Sequence, residues 1–186
     1  MNTPGPTGGV HIDLAEGPGS SLADLLCELN AHYADAGVAT APREAVHAHL
    51  RDHLLAPGSP VRLLVASDGA GTALGFAAIV LMHSLVDPSP EHRRQCLLKE
   101  LFVSANARGQ GIGRQLVAWV AGYAAEQGCG RMDWNVKDSN HAGIAFYESL
   151  GAVRVADRLS YRLTRGAMDR LAVPQAPLPT SPHPAP

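Results

Sequence analysis

The run NARGQGIGRQL, residues 106–116, sets glycines at 109, 111 and 113 behind an arginine at 108. A loop of this kind opening a helix suits phosphate. The first-turn backbone N–H groups have no partner inside the helix, and glycine lets the chain approach an anion with no Cβ in the way. Two common phosphate loops are excluded by spacing. A GxxxxGK[ST] loop needs Lys and then Ser or Thr after its last glycine, where Arg114 and Gln115 stand. A dinucleotide loop needs GxGxxG directly after the first strand; here the third glycine comes one residue early and SANAR intervenes. For the loop by itself, a glycine-rich helix entry without a ligand stays open.

Metal chemistry finds less support. Of nine histidines, His49 and His53 stand i, i+4, but no Glu follows His49 as an HExxH motif needs, and His47 lies on another face. The expectation is no metal. Cys27, Cys96 and Cys129 lie far apart with no CxxC pair, which reads as reduced thiols in a cytoplasmic protein. A net charge of −2 gives no footprint for nucleic acid or an anionic membrane, and no apolar run approaches a membrane span.

The elements that must position the loop alternate along the chain. GVHIDLAEG reads as a short strand. SSLADLLCELNAHYADAG carries a helical stripe of Leu22, Leu25, Leu26 and Leu29, and TAPREAVHAHLRDHLL is a second helix. VRLLVASDGAGTALGFAAIVLMHSLV is a β-hairpin about a Gly-rich turn. QCLLKELFVS is a strand leading into the loop and its helix. GRMDWNVK is a strand, NHAGIAFYESLG a helix ended by Gly151, and AVRVADRLSYRLT one or two strands. The fold class is α/β to α+β: a mixed, mostly antiparallel sheet with helices on both faces, in the order β-α-α-β-β-β-α-β-α-β. Residues 1–10 and 171–186, rich in Gly and Pro, read as disordered ends around a single domain at 11–170.

Arg108-x-x-Gly111-x-Gly113 between a strand and a long helix resembles the pyrophosphate loop of the GCN5-related N-acetyltransferases, the GNAT superfamily. NHAGIAFYESLGA resembles that family's second segment, with Asn140, Phe146, Tyr147 and Gly151 in place, and LLKELFVSANARGQGIG matches its acidic-apolar-apolar-Val lead. The resemblance covers residues 60–165 and is nearest the diamine and thialysine (spermidine/spermine-type) branch. It implies a GNAT fold and transfer of acetyl from acetyl-CoA, a co-substrate, to a primary amine of amino-acid or polyamine type by direct attack. It also implies a homodimer. A protein or peptide N-acetyltransferase and a non-catalytic acyl-CoA sensor are the alternatives.

The same resemblance assigns residues. Arg108, Gly109, Gln110, Gly111, Ile112, Gly113 and Arg114 would hold the pyrophosphate, and the backbone of Leu101, Phe102 and Val103 the pantetheine arm and thioester carbonyl. Asn140, Gly143 and Phe146 would complete the cofactor site. Tyr147 would be the general acid: with a pKa of ~10 it keeps its proton at neutral pH and can donate a hydrogen bond or proton to the departing sulfur as charge builds there; a core-edge tyrosine is the plain alternative. Glu100, in an otherwise apolar strand, would take the proton of the amine or bind it, or else pair with Arg93 or Arg94. Strict alternation would place it on one face with Leu98 and Phe102. Asp133, Trp134 and Asn135 would lie near the acceptor, with Trp134 equally suited to the core. Tyr33 and Asp35 would contact an amine or cap helices. His83 is a substrate-side base or an ordinary strand-end residue. The branch carries two adjacent acids at the strand end; here Lys99 precedes Glu100, which favours a zwitterionic amino acid over a long polyamine.

Overall fold

A computed structural model of the protein describes residues 9–34 and 39–172. The predicted disordered ends, save Gly9, Val10, Leu171 and Ala172, therefore lie outside the described residues. By its internal packing the chain divides into Met1–Phe146 and Tyr147–Pro186.

The first unit holds a five-stranded sheet in the order β1-β2-β3-β4-β5. Its strands are β1 (His11–Leu14), β2 (Val61–Ser67), β3 (Ala73–His83), β4 (Arg94–Val103) and β5 (Cys129–Asp133). The first four pair antiparallel in sequence and β5 joins β4 in parallel, so the mixed, mostly antiparallel sheet is as expected. Between β1 and β2 run α1 (Ser20–Ala34), α2 (Arg43–His49) and a π-helical turn at Leu50–Leu54. A parallel neighbour needs a crossover, and α3 (Ile112–Glu126) supplies it. α4 (His141–Glu148) spans the boundary between the units.

Two apolar layers cover the sheet. Ile112, Leu116, Val120 and Ala124 recur at helical spacing on α3 and bury against Leu64, Ala66, Ala77, Ile79, Cys96 and Leu98. On the other face Leu22, Ala23 and Leu25 of α1, with Leu50, bury against Leu63, Phe76, Ala78 and Phe102. Each fully buried large side chain, such as Phe76, Leu64 or Leu116, contributes about 1.5–3 kcal/mol by leaving water.

The two layers expose a change of register in β4. Cys96 and Leu98 face α3, whereas Phe102 faces α1. Four residues apart, Leu98 and Phe102 would share a face on a regular strand. The cause is a bulge: Ile79 pairs with Leu98 and Ala78 with Glu100, leaving Lys99 as an extra residue. The expected common face of Leu98, Glu100 and Phe102 is thus corrected. Leu98 belongs to the α3 side; Glu100 and Phe102 face α1.

In the second unit the expected strand or strands at 152–164 do not form. Two-residue apolar alternation is present, but a strand also needs a ladder for its N–H and C=O groups, and among the described residues this segment has none. Val153, Leu159 and Tyr161 stand exposed at 87%, 79% and 88%. The chain closes instead in a short helix, α5 (Arg165–Leu171), whose first turn bonds back to Thr164 O.

One glycine is fixed by close approach rather than by φ. A Cβ on Gly75 would stand 2.9 Å from the Phe102 carbonyl oxygen, with Val103 and Leu116 side chains also inside 3.4 Å. Gly75→Ala is expected to destabilise the fold by about 1–3 kcal/mol, since backbone must shift to admit the methyl. Denaturant unfolding of the variant checks this; an unchanged midpoint would contradict it.

Candidate active site

The site is built around the end of β4. β5 pairs with β4 only as far as Leu97, opposite Asp133, while β4 runs on to Val103. From Leu98 onward β4 therefore keeps β3 on one side and has no ladder on the other among the described residues. The Ser104 N–H donates to Leu74 O at 2.9 Å, which sets the phase of the β3–β4 ladder. Phe102 with Phe76, and Glu100 with Ala78, are then the mutually bonded pairs; the N–H and C=O of Leu101 and Val103 turn to the side that β5 has left. The Arg108 Nε–H donates to Val103 O at 3.1 Å, in keeping with that direction. Of the three strand residues expected to offer backbone groups, Leu101 and Val103 direct theirs to that open side, where Arg108 takes the Val103 carbonyl. Phe102 spends its own on Phe76, and its side chain is core.

The glycine loop follows. Gly109 and Gly111 have φ of 76° and 77°, the left-handed region where a Cβ is costly. Gly111 is the N-cap of α3 and offers no side-chain cap, so the N–H groups of Ile112 and Gly113 lack intrahelical partners. That cradle fits a pyrophosphate: unpaired donors, the positive end of a fifteen-residue helix, and no Cβ intruding. Ile112 contributes only its backbone, because its side chain is buried in the core. The Arg108 guanidinium lies over the Phe102 ring at 5.8 Å, its terminal nitrogens without a partner among the described residues. The Gln110 amide turns back to Asn106 O. Sequence reasoning missed Glu28, whose Oε1 accepts the Ala105 N–H at 2.7 Å and ties α1 to the start of the loop. Nothing local signals a contact across 77 residues.

Asn140 acts as the N-cap of α4, its Oδ1 accepting the Gly143 N–H at 2.9 Å. A Cβ on Gly143 would fall 2.6 Å from the Asn140 amide nitrogen, so a larger residue there would displace the capping side chain. The Phe146 ring closes on the loop, 3.5 Å from where a Cβ of Gly113 would be. Tyr147 is the first residue of the second unit; it is half-buried, and its carbonyl accepts the Leu150 and Ala152 N–H groups that end the helix.

Two expected acceptor residues, sixty-seven apart in sequence, meet directly. The Tyr33 hydroxyl donates to Glu100 Oε2 at 3.0 Å. Glu100 has no arginine partner among the described residues: Arg94 instead donates to Gln127 O at 2.6 Å. Burial pushes the Glu100 carboxyl above its usual range, against the opposing pull of the Tyr33 hydroxyl, the Leu101 N–H, His32 and Lys99. Lys137 stands with Nζ 5.6 Å from the centre of the Tyr33 ring, and His32 packs edge-on to Tyr33. Neither was expected.

The other candidates have their own contacts. Asp133 accepts from Arg131 Nε at 2.8 Å, Trp134 packs against the α3-side core, and Asn135 is exposed. His83 pairs with Arg94 at the opposite end of the β3–β4 ladder from Val103, which removes it as a base for this site. Asp35 lies outside the described residues. Asn30 of α1 accepts the Ala41 N–H and donates to Ala39 O.

The model of the acetyltransferase (GNAT) family matches residues 25–152, and the chain belongs to that family. A thialysine N-epsilon-acetyltransferase of Mus musculus is 34% identical over 82 residues, 42% of this chain and 48% of the relative. An L-ornithine N5-acetyltransferase of Arabidopsis thaliana is 34% identical over 74 residues, 40% of this chain and 32% of the relative. The chain thus spans less than half the length of these curated relatives. Among solved structures, an integron cassette protein from the mobile metagenome of V. cholerae superposes with a TM-score of 0.77 at 29% identity, covering 87% of this chain and 96% of that one. The fold and the diamine/thialysine-like branch expected from the motifs agree with these matches.

The raised Glu100 pKa carries a stability prediction. A carboxyl whose folded pKa exceeds its unfolded value, 4.5, stabilises the fold fully only below that value, and the contribution is lost as pH rises through the folded pKa. Glu100→Gln removes the charged form, so it should raise the melting temperature at pH 7, with the advantage shrinking toward pH 4.5. Thermal melts across that range check the sign. A variant less stable than the parent at pH 7 would contradict the burial assigned to Glu100.

Proposed function

We propose that the chain is an N-acetyltransferase, moving an acetyl group from acetyl-CoA to the primary amine of a small molecule of amino-acid or polyamine type. The observation that carries this reading is the meeting of Tyr33 and Glu100 on the α1 side of β4, in the strand whose end leads into the glycine loop. A half-buried carboxylate with a raised pKa suits an amine acceptor twice over. It attracts the ammonium form, and it is a better proton acceptor than an ordinary glutamate.

The chemistry assigned to each residue follows. An alkylamine with a pKa near ~10.4 is almost wholly protonated at neutral pH, so a proton must leave before the nitrogen can attack. Glu100 takes it, directly or through water, while Tyr33 holds the carboxylate in place. The nitrogen lone pair then attacks the thioester carbon. The Val103 N–H, pointing away from β3, is placed to stabilise negative charge growing on the thioester oxygen. As the C–S bond breaks, Tyr147 supplies a proton to the departing sulfur, and the second proton shed by the acylated nitrogen passes through water to restore the Tyr147 hydroxyl. Gly111, Gly113 and Arg108 bind and orient the pyrophosphate and do no bond chemistry. Acetyl-CoA supplies the activated acyl group; the loop's open amide donors are the support for its binding here.

The same reading takes residues 11–170 as the working domain and the protein as a cytoplasmic homodimer. Three cysteines free of disulfides and the exposed Val153, Leu159 and Tyr161 support the last two points.

Thiol release from acetyl-CoA over a panel of amino acids, polyamines, aminoglycosides and short peptides tests the reaction. A small amine should raise the rate, and Tyr147→Phe should cut kcat at least about tenfold. Response only to peptides would favour a protein acetyltransferase; binding of acetyl-CoA without any acceptor would favour a sensor. The pH profile adds a separate check. Tyr33→Phe removes a donor to ionised Glu100, so the acid limb of kcat/KM should move to higher pH; a limb that stays or moves down would detach Glu100 from the proton step.

A further inference from the structure

We propose that Lys137 is a specificity residue that reads a carboxylate on the acceptor, so that the site takes amino acids ending in a side-chain primary amine in preference to diamines. This rests on the reading of the chain as a small-molecule N-acetyltransferase with Glu100 at the acceptor amine.

The observations are three. First, of fifteen basic Lys and Arg residues only two are lysine: Lys99 adjoins Glu100 in sequence, and Lys137 is linked to it through Tyr33. Lys99 precedes it in the bulge and acts on its charge. Lys137 stands on Tyr33, the residue that donates to the Glu100 carboxylate. Second, Tyr33 sets the spacing of the two charges. Its hydroxyl meets Glu100 at 3.0 Å and its ring centre lies 5.6 Å from Lys137 Nζ, so one aromatic ring and two contacts separate anion from cation. Third, Lys137 makes no ion pair among the described residues, although Asp138 adjoins it in sequence.

A site with an anion at one end and a cation at the other complements a ligand bearing both charges. An amino acid with a terminal side-chain amine sets its ammonium toward Glu100 and its carboxylate toward Lys137. A diamine of the same length would set a second cation against Lys137, and like charges brought together select against that ligand. Lysine suits the task because a compact charge on a flexible stem can follow ligands of slightly different length, where a guanidinium fork demands fixed geometry. Tyr33 then positions both ends: hydroxyl to Glu100, ring face to Lys137.

The test uses acceptor pairs that differ only in the carboxylate: ornithine with putrescine, and lysine with cadaverine. The parent protein should prefer the amino acid in each pair. Lys137→Met should raise KM for the amino acids about tenfold or more, leave kcat within about twofold, and leave or lower KM for the diamines. Lys137→Glu should invert the preference and Lys137→Arg should keep most of it. KM for acetyl-CoA and the melting temperature should stay unchanged in all three, since Lys137 is exposed and stands after the end of β5. The assignment is overturned if Lys137→Met changes both members of a pair equally, or if the parent prefers the diamine. A parent protein that turns over no small amine overturns the proposed function and this assignment together; turnover with an unmoved preference overturns this assignment alone.

Discussion

One extra residue in β4 governs where the chemistry can be. Lys99, bulged opposite the Ala78–Ile79 step, turns the remainder of the strand over. Before it, Cys96 and Leu98 bury under α3; after it, Phe102 buries under α1 and Glu100 faces Tyr33. Without the bulge Glu100 would point toward the α3 layer, where a carboxylate would stand in an apolar core with no donor to answer it. With it, the same residue reaches the hydroxyl of a helix 67 positions earlier in the chain. Bulges commonly re-aim a side chain next to a functional site, and here the re-aimed side chain is the only acid in its strand.

The second constraint is the early end of β5. By leaving β4 at Leu97, it exposes alternate backbone groups on the last residues of β4 where a sheet would otherwise consume them. The glycine loop then opens α3 directly after that edge, so open strand amides and open helix amides follow one another along the chain. The rigidity needed to hold them comes from packing at both sides. Phe76 and Phe102 pack at a tilt under α1, Leu116 and Val120 anchor α3, and Gly75 lets the two strands approach without a side chain between them. Glu28 fixes the crossover from the α1 side.

Much of this was legible in the sequence because it depends on local periodicity and spacing. The leucine stripe of α1, the hairpin of β2 and β3, the glycine loop and the stripe of α3 each declare themselves within a dozen residues. Glu100 stood out as a charge in an apolar strand, and Tyr33 as a polar side chain at the end of a helix. What was not legible depends on register or on long-range contact. Alternation counted through LLKELFV puts Leu98 with Phe102, since a bulge leaves no mark in composition. The approach of Lys137 to Tyr33 spans 104 positions. One signal was available there: the rarity of lysine in an arginine-rich chain. The segment 152–164 misled in the opposite direction, with the alternation of a strand but, among the described residues, no neighbour to make it one.

If the acyl-CoA arm lies along the open edge of β4, amide hydrogen exchange at single-residue resolution measures it directly. With saturating acetyl-CoA, the Val103 N–H should exchange more slowly, because a bound arm gives it a partner, and so should the first-turn amide of Gly113. The Phe102 N–H, already engaged with Phe76 in the ladder, should hardly change. If acetyl-CoA binds while Val103 exchanges as before, the arm lies elsewhere and the site assembled here is not the one that holds the acyl donor.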